Sequence, residues 1–476
     1  MTETAALIVL ALTAVVFALV GIVLVRGRIV SVEDFISARR SMSAGAIALS
    51  LIASSLGAWV MFSPSEAAAR TGILALVGYA VGSGAAIAVF AWLGPRMRQL
   101  LPEGHAITEF VFHRYGRTMY VFVLIATVAY MFIYLAAELT AIGSAVAAIA
   151  GVDRTATAVA VLAPTLIYTA YGGLRASLNT DVPQAILIVI LLLILPALFI
   201  AQHGGIGAVA ETLTAKHPEL VTLASVGGWE TAFALVLAIV GANLFNQGYW
   251  QRVWLCRTDR DLRRAFVTAG LVTVPAVLLA GSFGLIAKAS GALGEPSAAL
   301  FDLIAGLANP LVALAALVLA AALVMSSLDT LLNAIVSLFA IDAARLWPGL
   351  SGPRLLTISR WFTIVPALLA GLISLQAYSV LYLFLLADLI CVAAVIPTFF
   401  GLFERRMSGN VAAIAAIVGL TAGGFLFPDP TFTSGNLFLS FAVAALVPAL
   451  ICLVFGRSGE PFAFETLHRK VRSLGR

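Results

Sequence analysis

Met325-Ser326-Ser327-Leu328-Asp329-Thr330-Leu331-Leu332-Asn333 lies in the middle of an otherwise apolar run from Asn309 to Arg345. A run of that length crosses about 30 Å of hydrocarbon with residues to spare, since roughly 20 suffice. Hydrocarbon solvates neither hydroxyls nor a carboxylate, so polar groups at that depth mark a functional site lined by protein. The stretch therefore makes two statements at once: the helix spans a membrane, and its polar face is buried against other helices.

The rest of the chain agrees. Of 476 residues, 62% are hydrophobic and only 11% charged, against about a quarter charged in a soluble domain. Apolar windows fall near 3–25, 43–70, 73–95, 118–150, 155–171, 177–202, 231–255, 264–288, 309–344, 356–375, 379–403, 410–427 and 437–455. That predicts an all-α integral membrane protein of thirteen spans, give or take one. No hydrophilic stretch is long enough for a separate soluble domain, so residues 1–476 read as one membrane domain in the lipid bilayer. The longest loop runs from about His203 to Glu230, and short helices are expected within Leu100 to Arg117 and Ser297 to Leu307.

Basic residues collect in alternate loops, as short cytoplasmic loops do. With the N-terminus outside, only Arg70, Arg154, Lys216 and Lys288 of the 28 basic residues face out. The C-terminus and tail 456–476 then lie in the cytoplasm. The formal charge of +5 belongs to inside segments such as Arg96/Arg98, Arg252 to Arg264 and Arg469-Lys470-Arg472. It is a topology signal and implies no nucleic acid. Three lysines against 25 arginines, with Ala-rich helices, point to a bacterial inner membrane. Cys256, Cys391 and Cys452 lack metal-ligand spacing and read as small core residues. Ala5 to Val25 has no basic leader and is long enough to span, so it reads as a retained helix and not a cleaved signal peptide.

Two apolar segments are interrupted in their middles. Ala53-Ser54-Ser55-Leu56-Gly57-Ala58, followed by Ser63-Pro64-Ser65-Glu66, breaks the second span. Gly241-Ala242-Asn243-Leu244-Phe245-Asn246-Gln247-Gly248 breaks the seventh. Freed backbone groups at membrane depth are tolerated where they line a cavity or coordinate something. Interruptions five spans apart point to an inverted-repeat transporter with its site at the midplane.

Tyr168-Thr169-Ala170-Tyr171-Gly172-Gly173-Leu174-Arg175-Ala176-Ser177, followed by Thr180-Asp181-Val182-Pro183-Gln184, resembles a signature of the sodium/solute symporter family. Met325-Ser326-Ser327-Leu328-Asp329-Thr330 resembles that family's second motif, and the similarity runs from about residue 30 to 403. Pro102 to Phe110, Arg114-Tyr115-Gly116 and Gln247 to Arg252 look like its urea-permease branch. The resemblance implies a LeuT-like core of ten helices in two inverted halves of five (43–403), with an extra N-terminal helix (3–25) and two extra C-terminal helices (410–455).

By that resemblance a sodium ion is held by the carbonyls of Ala53, Leu56 and Leu323 and the side chains of Ser326 and Ser327. Five neutral oxygens suit a small hard cation that must also leave. Alternatively, the serines simply hydrogen-bond to backbone carbonyls. Asp329 and Thr330 share the face of Ser326 one turn on. Together with Asp181 they are candidates for a second sodium site or exit relay, or Asp181 caps a helix starting near Thr180. Solute is expected between the broken helices, against Ser54, Ser55, Trp59, Asn243 and Gln247. Glu138 faces them, either as a contact to solute or as a paired structural group. Asp388, in the eleventh span, raises the same question: it contacts solute or, on the simpler reading, hydrogen-bonds to a neighbouring helix, and with Glu138 it is a candidate for proton coupling.

The function implied is sodium-coupled symport of a small polar organic solute: urea, an amino acid, an amine or a monocarboxylate. A proton-coupled symporter and a solute-sensing membrane module are the alternatives. An enzyme is disfavoured, because His105, His113, His203, His217 and His468 fall in loops or the tail and no nucleophile, metal or phosphate motif faces a plausible cavity.

Overall fold

The computed structural model describes residues 2–29, 31–307, 309–347, 349–376 and 379–471; the end of the expected cytoplasmic tail, including Arg472, lies outside them. The described residues are mainly helical, in the order the apolar windows lay out. Among the described residues, ten helices are long and apolar enough to cross a membrane, and the bent pair Ala44–Ser55 with Ala58–Thr71 makes an eleventh. The expected thirteen would be reached by counting the 49-residue helix Arg154–Gln202 as two spans and adding the short helix Gly409–Gly424.

The centre of the bundle is Pro310–Leu346, the helix of the opening stretch. Residues 319–338 are buried on every face. A helix apolar all round belongs inside a bundle, and this one packs against Arg117–Ala150, Arg154–Gln202 and Ala44–Ser55. At the periphery, Glu3–Val25 turns Leu12, Val16, Leu19 and Val23 outward and packs its other face on Arg154–Gln202.

Several local expectations shift. The segment expected as the longest loop contains the helices Gly205–Lys216 and Pro218–Val221. The polar insert after Leu100 is helical only over Ile107–Tyr115. There Arg114 donates to the carbonyls of Gly401 (3.1 Å), Met407 (2.8 Å) and Glu404 (2.7 Å), and Tyr115 donates to Pro397 (2.7 Å). Residues resembling a family branch thus tie down the connection after Val380–Phe400.

Between Arg154 and Gln202 the helix kinks at Gly173, where φ is +54° and ψ −144°. A Cβ at that position would sit 2.3 Å from the Phe35 carbonyl oxygen. Glycine is needed here for both conformation and space. The kink resets the face of the second half, which carries Ser177, Thr180 and Asp181 toward Pro310–Leu346. We predict that Gly173→Ala costs about 1–3 kcal/mol in backbone conformation alone, read as a lowered melting temperature in detergent. A melting temperature equal to that of the wild type would contradict this account of the kink.

Candidate functional site

The first broken helix stops at Ser55. Leu56 (φ −91°, ψ 88°) and Gly57 (φ −87°, ψ −176°) are non-helical, a single turn covers Ala58–Met61, and the chain resumes at Ser63 with an overall bend of 57°. The break frees amides and carbonyls, and each set has a partner from a different helix. Glu138, on Arg117–Ala150, accepts from the amides of Ala58 (2.7 Å) and Trp59 (3.4 Å). Ser326 donates to the carbonyls of Ala53 (2.9 Å) and Leu323 (2.9 Å), and Ser327 donates to Leu323 (3.1 Å). A Cβ on Gly57 would stand 2.2 Å from Glu138 Oε1 and 2.6 Å from Ser327 Oγ. Only glycine leaves room for a carboxylate and a hydroxyl on either side of the break.

Ala53, Leu323, Ser326 and Ser327 are therefore brought together, with Leu56 in the break itself. All five are buried. The serine hydroxyls make the backbone hydrogen bonds of the simpler reading, and those bonds draw the Ala53 and Leu323 carbonyls and the two hydroxyls close together.

The second broken helix ends at Asn243 and resumes at Gln247; Asn246 caps the new start by accepting from the Gly248 amide at 2.9 Å. A narrow cavity of about 40 Å³ lies between the two breaks, room for a few water molecules and smaller than the usual small-ligand site. Of the expected solute residues, Ser55, Trp59 and Asn243 line it. Three others do not. Ser54 donates to Ser50 in its own helix (2.8 Å), Gln247 donates to the His105 carbonyl (2.6 Å), and Glu138 is engaged at the first break.

The scaffold helices supply most of the remaining wall: Tyr79, Ser83, Tyr130, Tyr134, Thr273, Phe384 and Asp388, with Tyr249 from the second broken helix. Of these only Asp388 stands out as a candidate in the sequence. A signal was present, because Tyr130, Tyr134 and Glu138, and likewise Tyr79 and Ser83, recur at intervals of four and share a helical face. For Asp388 the simpler reading does not hold: among the described residues it makes no hydrogen bond to a neighbouring helix, and it lines the cavity.

A polar cluster lies one turn along from the serines. Asp329 accepts from Tyr168 (2.6 Å), Ser177 (2.6 Å) and Thr180 (3.2 Å). Asp181 is paired with Arg252 at 3.0 Å, both fully buried, and Arg252 also donates to Thr330 (3.0 Å), Ser50 (2.9 Å) and the Gly248 carbonyl (3.0 Å). Two expectations change here. Asp181 stands well inside a helix that resumes after Gly173 and caps nothing. Arg252 belongs to no cytoplasmic loop: it sits within Gln247–Leu255 and extends its guanidinium between Asp181 and Thr330. Its fork of donors ties the second broken helix to the first through Ser50, and to the scaffold through Asp181.

Comparison with known proteins follows the same lines. The chain is 28% identical to a spermidine transporter of Candida albicans, over 86% of this chain and 78% of that protein. It is 25% identical to the urea active transporter of Saccharomyces cerevisiae, over 92% of this chain and 66% of that one, so it spans about two thirds of the yeast protein. In structure it is similar to a Na+-coupled sialic acid symporter solved in a substrate-bound outward-open state. There the TM-score is 0.78 at 18% identity, covering 96% of this chain and 98% of that one. That likeness shows the fold, an all-helical LeuT-like membrane architecture. The model of the sodium:solute symporter family matches residues 35–419, a stretch that holds both broken helices and the helix packed between them. By that match this multi-pass membrane protein belongs to the sodium:solute symporter family.

Proposed function

We propose that this transporter couples the inward movement of sodium to the import of a small polar organic solute by alternating access. The observation that carries the reading is the convergence of oxygens at the first break: carbonyls of Ala53 and Leu323 with the hydroxyls of Ser326 and Ser327. The Leu56 carbonyl is the proposed fifth ligand. A hard cation takes such oxygens readily, and the absence of a formal charge among them permits release.

Sodium there would bond the first broken helix to Pro310–Leu346 and so fix one face of the solute cavity, since Ser55 and Trp59 follow directly on Ala53. The coupling is reciprocal, so solute raises sodium affinity by the factor that sodium raises solute affinity. Each sodium entering adds about 2.3 kcal/mol per 100 mV of membrane potential. We place the protein in a bacterial inner membrane as one transporter domain, N-terminus outside and C-terminus in the cytoplasm. The substrates named for the relatives, spermidine and urea, support a small polar solute.

For Asp181, Asp329 and Thr330 we favour a relay and latch over a second sodium site. The Arg252 guanidinium already supplies a positive charge beside Asp181 and Thr330. When the second broken helix moves, that charge moves with it, leaving Asp181 free to receive sodium on its way out.

In proteoliposomes, uptake of radiolabelled urea or spermidine is expected to require an inward sodium gradient. Ser327→Ala should raise the sodium concentration for half-maximal uptake roughly tenfold, about 1.4 kcal/mol. Uptake indifferent to sodium and driven by a pH jump would replace this reading with proton coupling; sodium-dependent solute binding without any uptake would favour a sensor. For the latch, Arg252→Ala leaves Asp181 buried and unpaired, at a cost of about 3–5 kcal/mol. The double variant Arg252→Ala/Asp181→Asn should recover part of the lost thermal stability. Strictly additive effects of the two changes would show that the pair does not act as a unit.

A further inference from the structure

The cavity between the broken helices holds one carboxylate that no other group among the described residues neutralises. Asp388 is only 4% exposed, opens into the cavity, and among the described residues has no hydrogen bond or ion pair. Other buried carboxylates in the membrane region are matched: Glu138 by two amides, Asp181 by Arg252, Asp329 by three hydroxyls and Glu66 by Arg70 at 3.0 Å. An ionised carboxylate buried without a partner costs several kcal/mol. The partner of Asp388 is therefore expected to arrive from outside.

The rest of the lining indicates the sign and shape of that partner. Ser83, Thr273 and Ser55 give their protons to Tyr79 (2.8 Å), Ala269 (2.9 Å) and Ile52 (3.2 Å) in their own helices, which leaves lone pairs for the cavity. Several donors are spent internally, although the Tyr79 and Tyr249 hydroxyls remain in the lining. The Trp59 indole N–H goes to Tyr134 at 2.8 Å, the Asn243 amide to Ile239 at 2.8 Å, and the Tyr130 hydroxyl to Asn243 at 3.3 Å. Aromatic faces make up the remainder: Trp59 stacks on Tyr79 with centroids 5.4 Å apart, and Phe384 meets Tyr134 at 4.8 Å. A chamber that holds an unmatched carboxylate and hydroxyl lone pairs and is walled by rings complements an ammonium or guanidinium group. An anion would face Asp388 with only neutral donors, such as the Tyr79 and Tyr249 hydroxyls, to offset it, and a neutral solute would leave Asp388 unmatched.

We propose that the solute is a small organic cation, its charged group held between the Asp388 carboxylate and the rings of Trp59, Tyr79 and Tyr130. This rests on the transporter reading above and narrows it from a polar solute to a charge class. Asp388 belongs to the scaffold helix Val380–Phe400, apart from every residue proposed to hold sodium. Solute charge and ion coupling are therefore separable.

Guanidinium and urea are planar, near-identical in shape, and differ by one charge. Equilibrium binding of radiolabelled guanidinium and urea to the purified protein in sodium, with putrescine and acetate as competitors, tests the proposal. Guanidinium or putrescine should bind on the order of tenfold tighter than urea, with acetate inert. Asp388→Asn, which keeps the side-chain volume, should erase the preference, and Asp388→Glu should retain it. The proposal is overturned if urea or acetate binds the wild type as tightly as guanidinium and putrescine, or if a monodisperse Asp388→Asn protein keeps the full preference. The wild-type comparison decides even where the variants do not fold. Radiolabelled sodium binding to wild type and Ser327→Ala separates the two readings. Sodium binding lost in Ser327→Ala without any cation preference would sink the charge class alone, whereas a cation preference without sodium binding would sink the coupling alone.

Discussion

Everything in the bundle is arranged around one break, at Leu56 and Gly57, where a membrane helix gives up backbone hydrogen bonds in a place without water. Orphaned amides and carbonyls there are expensive, and the protein answers with groups from two other helices. Glu138 takes the amides and Ser326 takes the Ala53 carbonyl. Gly57 is what lets them both in, because a methyl group would collide with the carboxylate and with Ser327. The break thereby becomes a joint whose two sides are held by different neighbours, one through a carboxyl group and one through hydroxyls.

That division explains how charge is distributed through the core. Glu138 stabilises the positive end of the restarted helix and is consumed in doing so. Arg252 performs the corresponding task at the second broken helix, binding Ser50 of the first broken helix, Asp181 of the kinked helix and Thr330 of the central helix. Each broken helix is thus pinned to neighbouring helices by one buried side chain, Glu138 at the first and Arg252 at the second. Motions that carry a solute across the membrane must loosen such pins, and a pin made of one pair is easier to exchange for an ion than a packed apolar face.

Much of this was legible in the chain. Gly, Ser and Pro inside apolar runs located both breaks to within a residue or two, since those residues weaken a helix where hydrocarbon would otherwise preserve it. Ser326 and Ser327 stood out as hydroxyls at membrane depth. What failed was partnership. Arg252 was counted as a loop charge because it follows an apolar segment and precedes other arginines, and only the restart of the helix at Gln247 draws it inward. Asp388 stays open between a solute contact and a helix-to-helix bond on sequence alone, because one helix cannot reveal what faces it. Gln247 and Ser54 flank a break and so seemed to face solute, yet helical rotation turns them to His105 and Ser50. The aromatic walls came from separate helices at intervals of four, a pattern easily taken for ordinary core packing.

The most direct test of the central claim is a high-resolution structure determined in sodium chloride and again in choline chloride. The account predicts, in sodium alone, density for an ion bonded to the oxygens of Ala53, Leu56, Leu323, Ser326 and Ser327, with the serine hydroxyls turned away from the carbonyls they otherwise meet. If the two structures show the same serine-to-carbonyl hydrogen bonds and no ion at the break, the joint is not the sodium site and the coupling must be sought elsewhere.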